Sequence, residues 1–194
     1  RQTLLPAIDY RQIKLDKDAN TIFFTQAQLQ VDLGGIAKGY AVDRSIDILK
    51  NWGVKHATVS AGGDSRVLGD KRGRSWMVGI KNPRGEEAIA LTIPLTDSAI
   101  STSGDYERFF IDEQGERVHH ILSPYTGRSV NGVQSVTVLG SDSVTSDGLS
   151  TAIFVLGVKQ GLEMVERLPG IDVVIIDARR KVHFSVGLMP PNAD

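Results

Sequence analysis

Short strand-like runs joined by tight turns fill most of this chain, and helical periodicity appears in only a few separate blocks. Runs at 10–15 and 21–24 flank Asp16-Lys17-Asp18-Ala19-Asn20. Runs at 76–81 and 88–95 flank Asn82-Pro83-Arg84-Gly85. Runs at 106–111 and 117–122 flank Asp112-Glu113-Gln114-Gly115, and runs at 172–176 and 181–186 flank Ala178-Arg179-Arg180. Each pairs β-prone residues with turn chemistry, the pattern of a hairpin. Further strands are expected at 56–60, 65–68, 99–103 and 133–139; the last alternates apolar and polar residues, which predicts a half-buried strand. Helices are expected at 36–51, 143–156 and 159–168. In the first, Val42, Ile46 and Leu49 share a face and Gly53 supplies a C-cap; Ser143 is the expected N-cap of the second and Gly157 its stop. Hairpins with few helices predict an α+β fold with antiparallel sheets, not a doubly wound parallel sheet. Residues 1–9, with Pro6, read as a connector, and no repeat or low-complexity segment interrupts the pattern.

The 194 residues suit a single domain, and 41% apolar content supplies a core. A formal net charge of −1 offers no basic surface for nucleic acid or anionic lipid. The absence of cysteine excludes disulfides, thiol nucleophiles and thiolate metal sites. No run of 18 apolar residues occurs. The chain begins with Arg1 rather than Met, as expected of a processed or trimmed product.

Chemistry gathers around Val31-Asp32-Leu33-Gly34-Gly35-Ile36-Ala37-Lys38-Gly39-Tyr40-Ala41-Val42-Asp43. The pattern suggests a strand at 28–33, a glycine turn and a helix start. Glycines admit close backbone approach, and the first N–H groups of a helix carry partial positive charge, so this is an anion site in outline, flanked by Asp32 and Lys38. A tight strand-to-helix turn explains the same residues. Asp147-Gly148-Leu149-Ser150-Thr151 places a carboxylate and two hydroxyls at i, i+3 and i+4 of a helix, an all-oxygen set suited to Mg²⁺, although helix capping accounts for them too. His119-His120 closes a strand. Histidine is the usual general base near neutral pH, while only two other histidines, His56 and His183, and no cysteine argue against zinc. Ser101-Thr102-Ser103-Gly104-Asp105-Tyr106 is a hydroxyl-rich loop. Neither a P-loop nor a Gly-x-Ser-x-Gly elbow is present.

The run Asp32-Leu33-Gly34-Gly35-Ile36-Ala37-Lys38-Gly39-Tyr40 resembles the signature of the FAD:protein FMN transferases, the ApbE family. Four later motifs resemble that family in the same order: Ser60-x-Gly62-Gly63-Asp64, Ile100-Ser101-Thr102-Ser103-Gly104, His120-Ile121-Leu122-x-Pro124-x-Thr126-Gly127, and Asp147-Gly148-x-x-Thr151. The resemblance covers roughly residues 21–188. It implies a T-fold-like α+β domain over 1–194 that cleaves FAD, joins FMN by a phosphoester to a Thr or Ser hydroxyl of a target flavoprotein, and releases AMP with Mg²⁺ as cofactor. By the same resemblance Asp32, Lys38 and Leu122 contact FAD. Gly35 through its carbonyl, Asp147, Ser150 and Thr151 hold the metal, and His120 deprotonates the acceptor hydroxyl.

The sequence departs from the family at Ser150, where some members carry Asp, and at Ser123, where many carry Asp or Asn. Asp32 also lies much nearer the start than in family members, whose preceding residues stack on the flavin. Either that part lies in another chain, which makes a separate amino-terminal fragment an expected partner, or this is a short form. The implied partners are FAD and a flavoprotein of a membrane redox complex, with no nucleic acid. The implied location is periplasmic, with a lipid anchor on the precursor. Two rival readings use the same residues: an FAD pyrophosphatase giving FMN and AMP, and a non-catalytic flavin-binding module.

Overall fold

The computed structural model describes Leu5, residues 8–85 and residues 88–189, so the connector expected at 1–9 lies largely outside the described residues. The centre is a six-stranded sheet built from β3 (Ala57–Ala61), β4 (Asp64–Leu68), β7 (Ala99–Gly104), β10 (Val133–Gly140), β11 (Asp172–Asp177) and β12 (Val182–Phe184). Its strand order is β12-β11-β10-β7-β4-β3, antiparallel throughout. Three two-stranded hairpins complete it: β1 (Ile13–Asp16) with β2 (Thr21–Phe24), β5 (Trp76–Lys81) with β6 (Ile89–Leu95), and β8 (Phe109–Ile111) with β9 (Arg117–His119). Two helices, α1 (Ala37–Asn51) and α2 (Ser143–Val165), pack on the sheet and on each other. The α+β expectation is met.

Period-two alternation splits the core into two layers. Val136 and Val138 of β10 and Val173 and Ile175 of β11 join Ile153, Phe154 and Val165 of α2. Leu139, Val174, Val67 and Ile100 pack on the opposite face with Ile80 and Leu95 of the β5–β6 hairpin. With cover on both faces, all eight residues of β10 are buried, not half of them as its alternation predicts. Among its polar members Thr137 is paired within the sheet, its hydroxyl meeting that of Thr102 at 2.9 Å.

Other expectations shift for local reasons. Residues 28–33 form no strand; they are largely exposed, and Asp32 bends the chain by accepting the Gly34 N–H at 2.6 Å. Residues 10–12 form a 3₁₀ turn, with Asp9 accepting from the Arg11 N–H. The N-cap of α2 is Asp142, not Ser143; its carboxylate accepts the Thr145 N–H at 2.9 Å. Gly157, at φ 79° and ψ −179°, is not helical and separates α2 into two helical stretches, so it stops the first as expected, and the second, expected at 159–168, ends at Val165. Gly53 closes α1 as expected, at φ 78°, with its N–H on the Lys50 carbonyl and that of Val54 on the Leu49 carbonyl.

The helices touch at their first turns. A Cβ built on Gly39 would overlap the Ser143 carbonyl oxygen and stand 2.7 Å from Val144 Cα, both backbone. Gly39→Ala should therefore destabilise the fold by about 1–3 kcal/mol through overpacking. Gly35→Ala, where an added Cβ meets nothing within 4 Å, should change stability by less than about 0.5 kcal/mol. Urea denaturation of the two variants checks the contrast.

Candidate active site at two helix starts

The helix starts lie together because each helix caps the other. Asp43, in the second turn of α1, accepts the Ser143 N–H at 2.9 Å and the Val144 N–H at 2.8 Å, satisfying the first two N–H groups of α2. Asp147, four residues into α2, accepts the Gly39 N–H of α1 at 3.0 Å. Ile36, the residue preceding α1, makes no side-chain cap, so Asp147 serves in its place. In a helix extended one turn back, the Gly39 N–H would bond the Gly35 carbonyl; here it points to Asp147, and that carbonyl stays outside the ladder.

Strand β4 supplies the charges beneath. Asp64 and Arg66, two apart, face the helices. Arg66 pairs with Asp43 at 2.6 Å. The Lys38 ammonium lies 2.7 Å from Asp64 Oδ2 and 3.2 Å from Asp147 Oδ1. Asp64 and Asp147 are 1% and 2% exposed. Burial and the nearby Asp147 charge push the Asp64 carboxyl above its ordinary pKa against the pull of Lys38. For Lys38 burial acts downward, but Asp64 and Asp147 outweigh it and hold the pKa above the ordinary lysine value. Two carboxylates thus share one ammonium.

The turn before β4 is shaped for this contact. Gly62 and Gly63 both have positive φ, 54° and 99°, as a two-residue hairpin of the I′ kind needs. A Cβ on Gly62 would press on Lys38 Cδ at 3.2 Å, so the glycine makes room for the lysine stem. On the α2 side, Ser103 of β7 bonds the Ser150 hydroxyl at 2.7 Å and the Thr151 hydroxyl at 3.0 Å. Ser150 also donates to the Asp147 carbonyl at 2.9 Å, a bond it would give up to act as a ligand.

The two histidines separate cleanly. His119 is buried; its Nε2–H donates to the Val130 carbonyl at 2.9 Å, its Nδ1 accepts the Ile121 N–H at 3.3 Å, and its ring meets Phe154 of α2 edge-on. Both nitrogens are occupied, so His119 is structural. His120 is exposed, with Nδ1 3.4 Å from the Arg108 carbonyl. It follows the end of β9 and is held between His119 and Ile121, which both pack into the core beside α2. Leu122 is 47% exposed and bridges to Ser129.

Lys38, Gly39 and Asp147 therefore meet, and Ser150 and Thr151 join them through Ser103. Asp32 is engaged in its own turn. Sequence reasoning gives no role to Asp43 or Asp64. Asp64 stands directly after a glycine pair that marks it in the sequence, whereas Asp43 looks like any exposed helix carboxylate.

The oxygen donors fit a hard cation. Asp147 and Thr151, one helical turn apart on α2, are oxygen donors of the kind that Mg²⁺ takes together with water and phosphate. Among the described residues no three His, Cys, Asp or Glu side chains cluster as a ready-made metal cage.

Known proteins resemble this chain in sequence and fold. A model described as the ApbE family matches residues 1–175. The FAD:protein FMN transferase of Treponema pallidum is 36% identical over 201 residues, covering 95% of this chain and 55% of that protein. Its counterpart from Vibrio cholerae is 36% identical over 178 residues, covering 89% and 53%. The crystal structure of the ApbE protein of Thermotoga maritima matches with a TM-score of 0.86 at 37% identity, over 96% of this chain and 62% of that one. The flavin transferase ApbE from Vibrio cholerae gives 0.80 at 33%, over 96% and 61%. The chain spans about half the length of the curated relatives it matches. With the family model covering most of its length and both helix starts built as described, this chain belongs to the ApbE family.

Proposed function

We propose that this chain transfers FMN from FAD to a Ser or Thr hydroxyl of a flavoprotein, forming a phosphoester and releasing AMP. The observation that carries this reading is the junction of the two helix starts: a buried carboxylate, an ammonium and hydroxyls around one point. Family membership supports the choice of FAD, FMN and a flavoprotein acceptor, and with them a periplasmic setting beside a membrane redox complex.

Phosphoryl transfer demands charge neutralisation more than covalent chemistry from the protein. Lys38 supplies a positive charge at the start of α1, whose dipole has the same sign. Gly35, where an added Cβ would meet nothing within 4 Å, leaves the backbone open to an approaching phosphate. Asp147, Thr151 and the Gly35 carbonyl would hold Mg²⁺, which when bound neutralises phosphate charge as the leaving group departs. The acceptor oxygen bonds to the FMN phosphorus, the bond from that phosphorus to the oxygen of the AMP phosphate breaks, and the hydroxyl proton passes to His120. With Nδ1–H directed at the Arg108 carbonyl, Nε2 carries the lone pair.

His120→Ala should keep FAD binding and lose transfer by about 10²–10⁴-fold, read as protein-bound flavin fluorescence on an acceptor. Unchanged transfer would refute the base assignment. Asp147→Asn should abolish Mg²⁺-dependent AMP release from FAD; AMP release by the parent chain without acceptor would instead favour hydrolysis.

A further inference from the structure

The motif Ser60-x-Gly62-Gly63-Asp64 has no part in the reaction as described, yet its carboxylate is the nearest partner of Lys38. The Lys38 ammonium stands 2.7 Å from Asp64 and 3.2 and 3.4 Å from the two oxygens of Asp147. It thus reaches both oxygens of the Asp147 carboxylate, one of which also accepts the Gly39 N–H. A divalent cation approaching Asp147 meets a positive charge already there.

Moving that ammonium away costs little only if a second anion is waiting. Asp64 is that anion. It is 1% exposed, fixed on a central-sheet strand, and reached by the lysine stem through the gap left by Gly62. The side chain of Lys38 is 40% exposed, and its ammonium already reaches both carboxylates. Two carboxylates with one ammonium carry a net −1. The arrangement thus attracts a cation without leaving either buried carboxylate unpaired beforehand, a state that burial makes expensive.

We infer that Lys38 is an internal competitor for Asp147, and that Asp64 is the positioning residue that takes the ammonium over when a divalent cation binds. The inference rests on the reading of Asp147 as a cation ligand. It assigns Asp64 a role toward Lys38 and none as a direct metal ligand.

Mn²⁺ titrated into the protein alone, followed by electron paramagnetic resonance, tests it. Lys38→Met removes the competitor and should tighten Mn²⁺ binding by about tenfold. Asp64→Asn, nearly isosteric, ties the ammonium to Asp147 and should weaken binding by a similar factor. The double variant should bind more tightly than Asp64→Asn, because no ammonium remains to be moved. Weaker binding in Lys38→Met, or no rescue in the double variant, overturns the inference, since a direct ligand or a purely structural Asp64 predicts those results. Lys38→Met alone keeps the test decisive if Asp64→Asn fails to fold. If the parent chain shows no Mn²⁺ binding that Asp147→Asn removes, Asp147 is no cation ligand and the metal part of the proposed function falls first.

Discussion

The architecture depends on a reciprocal exchange of carboxylates between two helices. A helix start presents N–H groups that must find acceptors. Here Asp43 of α1 serves α2, and Asp147 of α2 serves α1. Each cap is worth about 1 kcal/mol in isolation, but the pair does more than add. It fixes the two starts in contact, which only Gly39 permits, because any side chain there would enter the Ser143 backbone. The partial positive charge of both helix starts is thereby gathered in one place.

The two halves of this exchange are balanced differently. Asp43 is matched by Arg66 at 2.6 Å, one cation to one anion, and it holds structure. Asp147 shares Lys38 with Asp64, so the second half is one positive charge short. Both anchors, Asp64 and Arg66, come from the same face of β4, two residues apart. One strand therefore neutralises one carboxylate and leaves the other sharing its cation. That asymmetry separates a helix-packing device from the candidate site.

Local signals were readable where local chemistry decides the outcome. Gly53 ends α1 and the β5–β6 hairpin forms around Asn82-Pro83 as its turn residues require. They misled where tertiary contacts decide. β10 alternates like a half-buried strand, but the β5–β6 hairpin covers its second face. Residues 28–33 carry strand-prone residues, but among the described residues no strand pairs with them, and Asp32 turns the chain instead. Of the site, Lys38 and Asp147 were legible from motif order. Asp43 was not, because its acceptors lie a hundred residues away and nothing near it marks the contact.

The floor of the site explains why so many hydroxyls occupy buried strands. β7 runs between β4 and β10, where apolar side chains would be expected, yet it carries Ser101, Thr102 and Ser103 in succession. Alternation sends Thr102 to Thr137 on one side and Ser103 to Ser150 and Thr151 on the other, while Ser101 stands opposite Asp64 in register. A buried hydroxyl without a partner is costly, and Thr102 and Ser103 avoid that cost by bonding other hydroxyls. Short hydroxyl side chains also let α2 come down close to the sheet, and they orient Thr151 without adding charge. A charged residue in place of Ser103 would compete with Lys38 or Asp147; an apolar one would leave Ser150 and Thr151 without this partner. Serine meets both constraints, and the hydroxyl track of β7 is as much a part of the site as the carboxylates above it.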